Sequence, residues 1–159
     1  MPGELSIIIE RLGLATLAGT AIGLNRKLHS KPVGIRTHSL VALGSAMLVY
    51  VSYGPGLVNG PPVPQTVQGI VTGIGFVGAG VILHRSGSKS RITGLTTASA
   101  LWFTAALGVA CGAGLFVPAI VATVIALVVL IIGGPIEGYL EIHFRKTESI
   151  PPPPEPPVE

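Results

Sequence analysis

Long apolar runs alternate with short polar ones along the chain. Five runs approach the roughly 20 residues a helix needs to cross the hydrocarbon core of a bilayer. They are Leu5–Leu24, Thr37–Tyr53, Gln65–Leu83, Gly94–Cys111 and Leu115–Gly133. The pattern predicts an all-α membrane protein with five transmembrane helices. Pro55, Pro61, Pro62 and Pro64 mark an extended connection between the second and third runs, because proline fixes φ and lacks a donor. Pro118 falls in the first turn of the fifth helix, where a missing N–H costs little. Past that helix, Ile136, Tyr139, Leu140 and Phe144 recur at helical spacing among Glu137, Glu141, Arg145 and Glu148. Glu141 and Arg145 form a favourable i, i+4 pair. The expected organisation is a transmembrane unit over 1–134, a cytoplasmic or interfacial amphipathic helix or frayed extension over 135–149, and a Pro-rich solvated tail over 150–159.

Charge adds orientation. Lys, Arg and Glu make up only 11% of the chain, and there is no Asp. Arg26, Lys27, Lys31 and Arg36 crowd the first connection; Arg85, Lys89 and Arg91 crowd the third; Arg145 and Lys146 follow the fifth helix. The second and fourth connections carry no basic residue. Basic connections stay in the cytoplasm, so the expected topology is five-pass, with the N-terminus outside and the C-terminus inside. Arg11 alone stands against it. That placement also turns the +3 net charge away from nucleic acid and toward anionic lipid headgroups. Glu4, with no basic segment before it, argues against a cleaved signal, and the single Cys111 excludes an internal disulfide.

An internal echo is visible. Gly34-Ile35-Arg36-Thr37 opens the second helix and Gly94-Leu95-Thr96-Thr97 opens the fourth; Gly19 to Arg26 loosely resembles Gly78 to Arg85. Both hairpins would run in the same sense, as a parallel repeat about the membrane normal.

Gly73-Ile74-Gly75-Phe76-Val77-Gly78 has the glycine spacing of a dinucleotide fingerprint. The apolar run around it and the lack of a carboxylate near position 95 rule that out. Gly69, Gly73, Gly75, Gly78 and Gly80 read instead as a helix-packing face, with Gly69-x-x-x-Gly73 its core. Such a face leads to the expectation of a homo-oligomer, a dimer first.

Glu10 and Arg11 are ionisable residues inside the first run, each costing about 2.5–3.5 kcal/mol at a helix centre. Neighbours on a helix point about 100° apart, so they do not simply neutralise each other. Arg11 is expected to snorkel outward, while Glu10 faces lipid, the bundle interior or a neighbouring subunit. Asn25, Arg26, Arg36, Thr37, His38, His84, Arg85, Thr96 and Thr97 gather at the inner mouth as a polar collar suited to lipid or partner contact. The spacing of His29, His38, His84 and His143 matches no zinc pattern, so no metal or cofactor is expected. No nucleophile, base and acid set is present, so no enzyme is expected either.

Three stretches are familiar. Ala18 to Lys27 followed by Lys31 to Ala46, then Gln68 to Leu83, then Ile92 to Trp102 continuing through Gly108, resemble in order the signatures of the MgtC/SapB family of bacterial membrane proteins. The resemblance spans about residues 10 to 132. It implies an inner-membrane protein linked to magnesium-limited growth and intracellular survival. It also implies modulation of other machinery, including ATP synthase and P-type ATPases. The chain departs from the pattern at Asn25, where the family usually has Glu before Arg. It departs again at Pro64-Gln65, where members often carry Asp and Arg. Larger members add a soluble C-terminal domain; the residues past 135 predict a short helix and tail.

Three functions follow for testing. The first is a non-enzymatic regulator that docks on itself or on larger membrane proteins. The second is a small transporter or channel lined by Glu10, Thr72, Thr97 and Thr104. The third is a structural subunit of a larger assembly.

Overall fold

The structure is a computed structural model, and it describes residues 2–53, 64–84 and 93–145. Five helices follow one another: α1 (Pro2–Leu28), α2 (Ile35–Ser52), α3 (Pro64–His84), α4 (Leu95–Gly112) and α5 (Phe116–Arg145). Each covers its predicted run to within a residue or two, with α1 longer by a few residues at both ends and α5 running on well past Gly133. The Pro-rich connection, the third connection from Arg85 and the tail lie outside the described residues. Pro118 does sit in the first turn of α5, where Ala119 N already bonds Leu115 O at 3.1 Å. The stretch past Gly133 is no separate element. α5 runs unbroken through Pro135 to Arg145, about 45 Å of helix against a hydrocarbon core of roughly 30 Å.

Four of these helices are long and apolar enough to cross a bilayer. α2 has the length, 18 residues or about 27 Å, but its His and Ser content lowers its hydropathy. Packing explains why it can be more polar. α2 lies between α1 and α4 and turns His38 and Ser45 into the bundle. α3 leans chiefly on α4 and barely touches α2, while α5 covers α1 and α4 from another side.

The bundle is inside out relative to a soluble domain. Its core is small: Ala15, Ala42, Ala46, Ala105 and Ala119 are buried with Ile22, Leu101 and Cys111. Large side chains such as Phe76, Leu28, Leu83 and Val117 face outward. In lipid there is no hydrophobic gain from hiding leucine, so close backbone packing decides what goes inside.

Glycine makes that packing possible, though not at the positions the sequence suggested. A methyl group at Gly19 would lie 2.6 Å from His38 O and 2.9 Å from Ala42 Cβ; at Gly23, 2.6 Å from Ile35 Cα. On the other flank, Gly108 meets Ala42 O and Gly112 lies 2.6 Å from Ala46 O by the same measure. Thus Gly108-x-x-x-Gly112 of α4 seats on the Ala42-x-x-x-Ala46 ridge of α2, while on the other side Gly19 of α1 meets His38 and Ala42 and Gly23 meets Gly34 and Ile35 where α2 begins. Gly69, Gly73, Gly75 and Gly80 of α3 have nothing within 4 Å; only Gly78 packs, 3.5 Å from Ala98 Cβ. The α3 glycines other than Gly78 are therefore not packing residues within one chain. Four-residue glycine spacing thus packs on α1 and α4 and stands open on α3.

The internal echo has a counterpart in geometry. Gly19 crosses His38 in the first hairpin as Gly78 crosses Ala98 in the second. Near the turn, Gly23 meets Gly34 and Ile35 as Ile82 meets Gly94. The two hairpins close at equivalent places, the first more tightly.

Candidate functional site

Polar side chains are buried at the two ends of this core. At the basic end, where α1 finishes and α2 and α4 begin, Arg26 is 3% exposed and His38 fully buried. Arg26 Nη2 donates to Thr97 Oγ1 at 2.9 Å. Asn25 is buried beside it. His38 Nδ1 donates to Gly34 O at 3.0 Å, which leaves its Nε2 without a partner; Arg26 Nε is likewise unpartnered. No Asp or Glu occurs between Glu10 and Glu137, so the Arg26 charge is met by a hydroxyl where a carboxylate would normally serve. Above this pair, Thr20 and Ser39 share a hydrogen bond at 2.8 Å across the α1–α2 contact.

The predicted collar is therefore split. Asn25, Arg26, His38 and Thr97 form its buried part. Arg36, Thr37 and Thr96 are exposed on the rim. His84 ends α3, and Arg85 lies outside the described residues. Among the described residues, no three metal-binding side chains converge. His29 instead contacts Asn25 O through Nδ1 at 2.8 Å, and His143 stacks on Tyr139 with centroids 5.9 Å apart.

At the opposite end, Arg11 corrects the snorkelling expectation. It is 4% exposed and turns inward. Its Nη1 donates to Gly112 O at 2.9 Å, and its guanidinium lies 5.8 Å from the Tyr53 ring centroid. The reason lies in how α4 ends. Gly114 takes φ +77°, and Gly114 N and Leu115 N bond back to Cys111 O and Ala110 O, both at 2.9 Å. This Schellman turn satisfies two late carbonyls and leaves that of Gly112 free for another donor. A cation there also meets the negative end of the helix dipole. Buried Arg11 thus caps α4 from a different helix.

Glu10, one residue earlier, points away, as the 100° step requires. It is exposed and accepts a hydrogen bond from Ser6 Oγ at 3.1 Å. Within one chain the interior-facing reading of Glu10 is overturned. If the hydrocarbon layer takes about 20 residues back from Leu28, Glu10 sits near its far edge. The proposed polar lining does not converge either. Thr72 is exposed and bonds its own helix at Gln68 O. Thr104 is buried but donates to Ala100 O, and Thr97 is held by Arg26.

These glycine pairs and the buried basic end fall within one recognisable stretch, since the family model described as the MgtC family matches residues 12–139. The chain belongs to the MgtC family. The match begins one residue after Arg11. Similar proteins include SrpB of Synechococcus elongatus, 42% identical over 131 residues, which is 76% of this chain and 71% of SrpB. SapB of Bacillus subtilis is 41% identical over 116 residues, covering 69% of this chain and 49% of SapB. YhiD of Escherichia coli K12, whose name carries a provisional magnesium-transporter assignment, is 42% identical over 143 residues, or 86% of this chain and 62% of YhiD. The chain thus spans about half to two-thirds of the length of most of these MgtC-family relatives. No solved structure matches it significantly.

Proposed function

We propose that this MgtC-family chain is a non-enzymatic membrane regulator, linked to magnesium-limited growth and acting by contact with other membrane proteins. The observation that carries this is the core itself: small apolar residues, gripped by glycine, with a buried arginine at each end. A Mg²⁺ path needs oxygen ligands, usually carboxylates, and room for retained waters. Ile22, Leu101 and the alanines occupy the middle, and the cations Arg11 and Arg26 oppose entry of another cation from either side. The open α3 glycine face supports the contact side of the reading. It presents Gly69, Gly73 and Gly80 on one side with nothing against them, a surface suited to another transmembrane helix; Gly75, two residues from Gly73, opens on a different side. That helix belongs to a second copy, or to machinery of the kind the family resemblance implies, ATP synthase or P-type ATPases. Basic connections facing the cytoplasm and residence in a bacterial inner membrane complete the reading.

The magnesium-transporter wording attached to YhiD favours the alternative, a small cation transporter. The two readings separate on Gly73→Leu, a position with free space around it. Under contact action the variant folds and inserts normally, yet loses partner capture and support of growth at low Mg²⁺. Unchanged capture and growth would count against contact through α3.

A further inference from the structure

A pocket of about 430 Å³ opens where α1 hands over to α2, lined by Lys27, Lys31, Arg36, Gly34, Ile35 and Thr37 with Pro32. Three cations in one concavity is an arrangement that folding alone would avoid, because like charges repel. No in-chain carboxylate lies between Glu10 and Glu137 to offset them.

The backbone fixes them there. Ser30 takes φ +53°, and Ser30 N and Lys31 N bond back to Lys27 O and Arg26 O at 3.1 and 3.0 Å. This is a second Schellman turn, and it folds Lys31 back over the end of α1 toward Lys27. His29 N occupies Asn25 O at 3.2 Å. The carbonyls of Asn25, Arg26 and Lys27 are therefore already engaged, while that of Leu28 corresponds to Gly112 O in the α4 turn. On the facing side, α2 starts at Gly34 with no side-chain cap, so its first-turn N–H groups have no side-chain acceptor. Donors and positive charge dominate the pocket lining, and three of the late α1 carbonyls beside it are in use. Exposed Leu28 and Ile35 flank it with apolar surface. Lys27 lies in the last turn of α1, one residue before the span closes at Leu28, which sets the pocket at headgroup depth.

We infer that this pocket binds the phosphate of an anionic membrane phospholipid, with Lys27, Lys31 and Arg36 as its ligands and the acyl chains running down past Leu28 and Ile35. The test is native mass spectrometry of the full chain released from mixed phosphatidylglycerol and phosphatidylcholine bilayers. Wild-type protein is expected to retain phosphatidylglycerol preferentially. Lys27→Gln, Lys31→Gln and Arg36→Gln should each lower that preference about fivefold, and the triple variant roughly a hundredfold, at about 1 kcal/mol per basic residue near a membrane surface. Lys146→Gln, in a different basic segment, serves as the charge control and should change nothing. Should the triple variant unfold, Lys31→Gln alone decides, since Lys31 is exposed. A wild-type preference retained in Lys31→Gln and in any folded triple variant would overturn the inference. So would displacement of bound lipid by glycerol phosphate at matched concentration, which would make the ligand a soluble phosphate.

Discussion

Gly108 and Gly73 look alike in the sequence, each a glycine in an apolar helix, and the structure gives them opposite jobs. A side chain at Gly108 would collide with Ala42 O and Ser45 Cβ, both on a neighbouring helix that cannot retreat without being driven into α1 at Gly19. Gly108→Val should therefore lower stability by roughly 3 kcal/mol or more, above ordinary overpacking. Gly73→Ala meets nothing within 4 Å and should hold or raise stability, by up to about 1 kcal/mol from helix propensity. Unfolding in mixed micelles followed by circular dichroism would measure both. Equal effects at the two positions would contradict the assignment of the grip to α1, α2 and α4. Tyr53 gives a second contrast. Its hydroxyl has no partner, while its ring faces Arg11, so Tyr53→Phe should be within about 0.5 kcal/mol of wild type. Arg11→Ala removes a charged hydrogen bond to a buried carbonyl and should cost about 1.5–3 kcal/mol. The sequence made Arg11 conspicuous and could not aim it, because its acceptor lies on α4, whose approach depends on glycines far along the chain.

Helix identity and order were legible because apolar run length is a one-dimensional property. All five runs became helices, four of them within a few residues of the predicted ends and the fifth extended to Arg145. Helix partners were not legible, for the gripping glycines are ordinary when each helix is read alone. The pairs Gly19–Gly23 and Gly108–Gly112 share one spacing, but Gly69–Gly73 has it too and stands open, so spacing alone does not pick out the gripping pairs. Turns carry part of this organisation. The α4–α5 turn depends on Gly114, which has positive φ and the Arg11 guanidinium 3.2 Å from where a Cβ would stand. Gly114→Ala should cost about 1–2 kcal/mol for the backbone alone and displace the Arg11 cap as well. In the same unfolding assay it should therefore lose more than Gly44→Ala, which has open space around it. The continuity of α5 through Pro135 is one of the two readings the sequence left open for this stretch. The helix carries on through Pro135 to Arg145, although a proline there removes one i→i−4 hydrogen bond.

For the whole molecule, the parts describe a closed bundle with chemistry at its rim. α2 is clamped in the centre, each end of the core holds an arginine, and what remains available to others is the open face of α3 and the basic pocket at the first hairpin. Conduction and contact make different demands on such a body, and flux decides between them. The direct measurement is Mg²⁺ entry into proteoliposomes loaded with a magnesium-sensitive dye, using folded protein checked by its helical signal. Contact action expects entry no faster than in protein-free vesicles, under an imposed gradient and a membrane potential. Entry that scales with protein and vanishes in Glu10→Gln would contradict it.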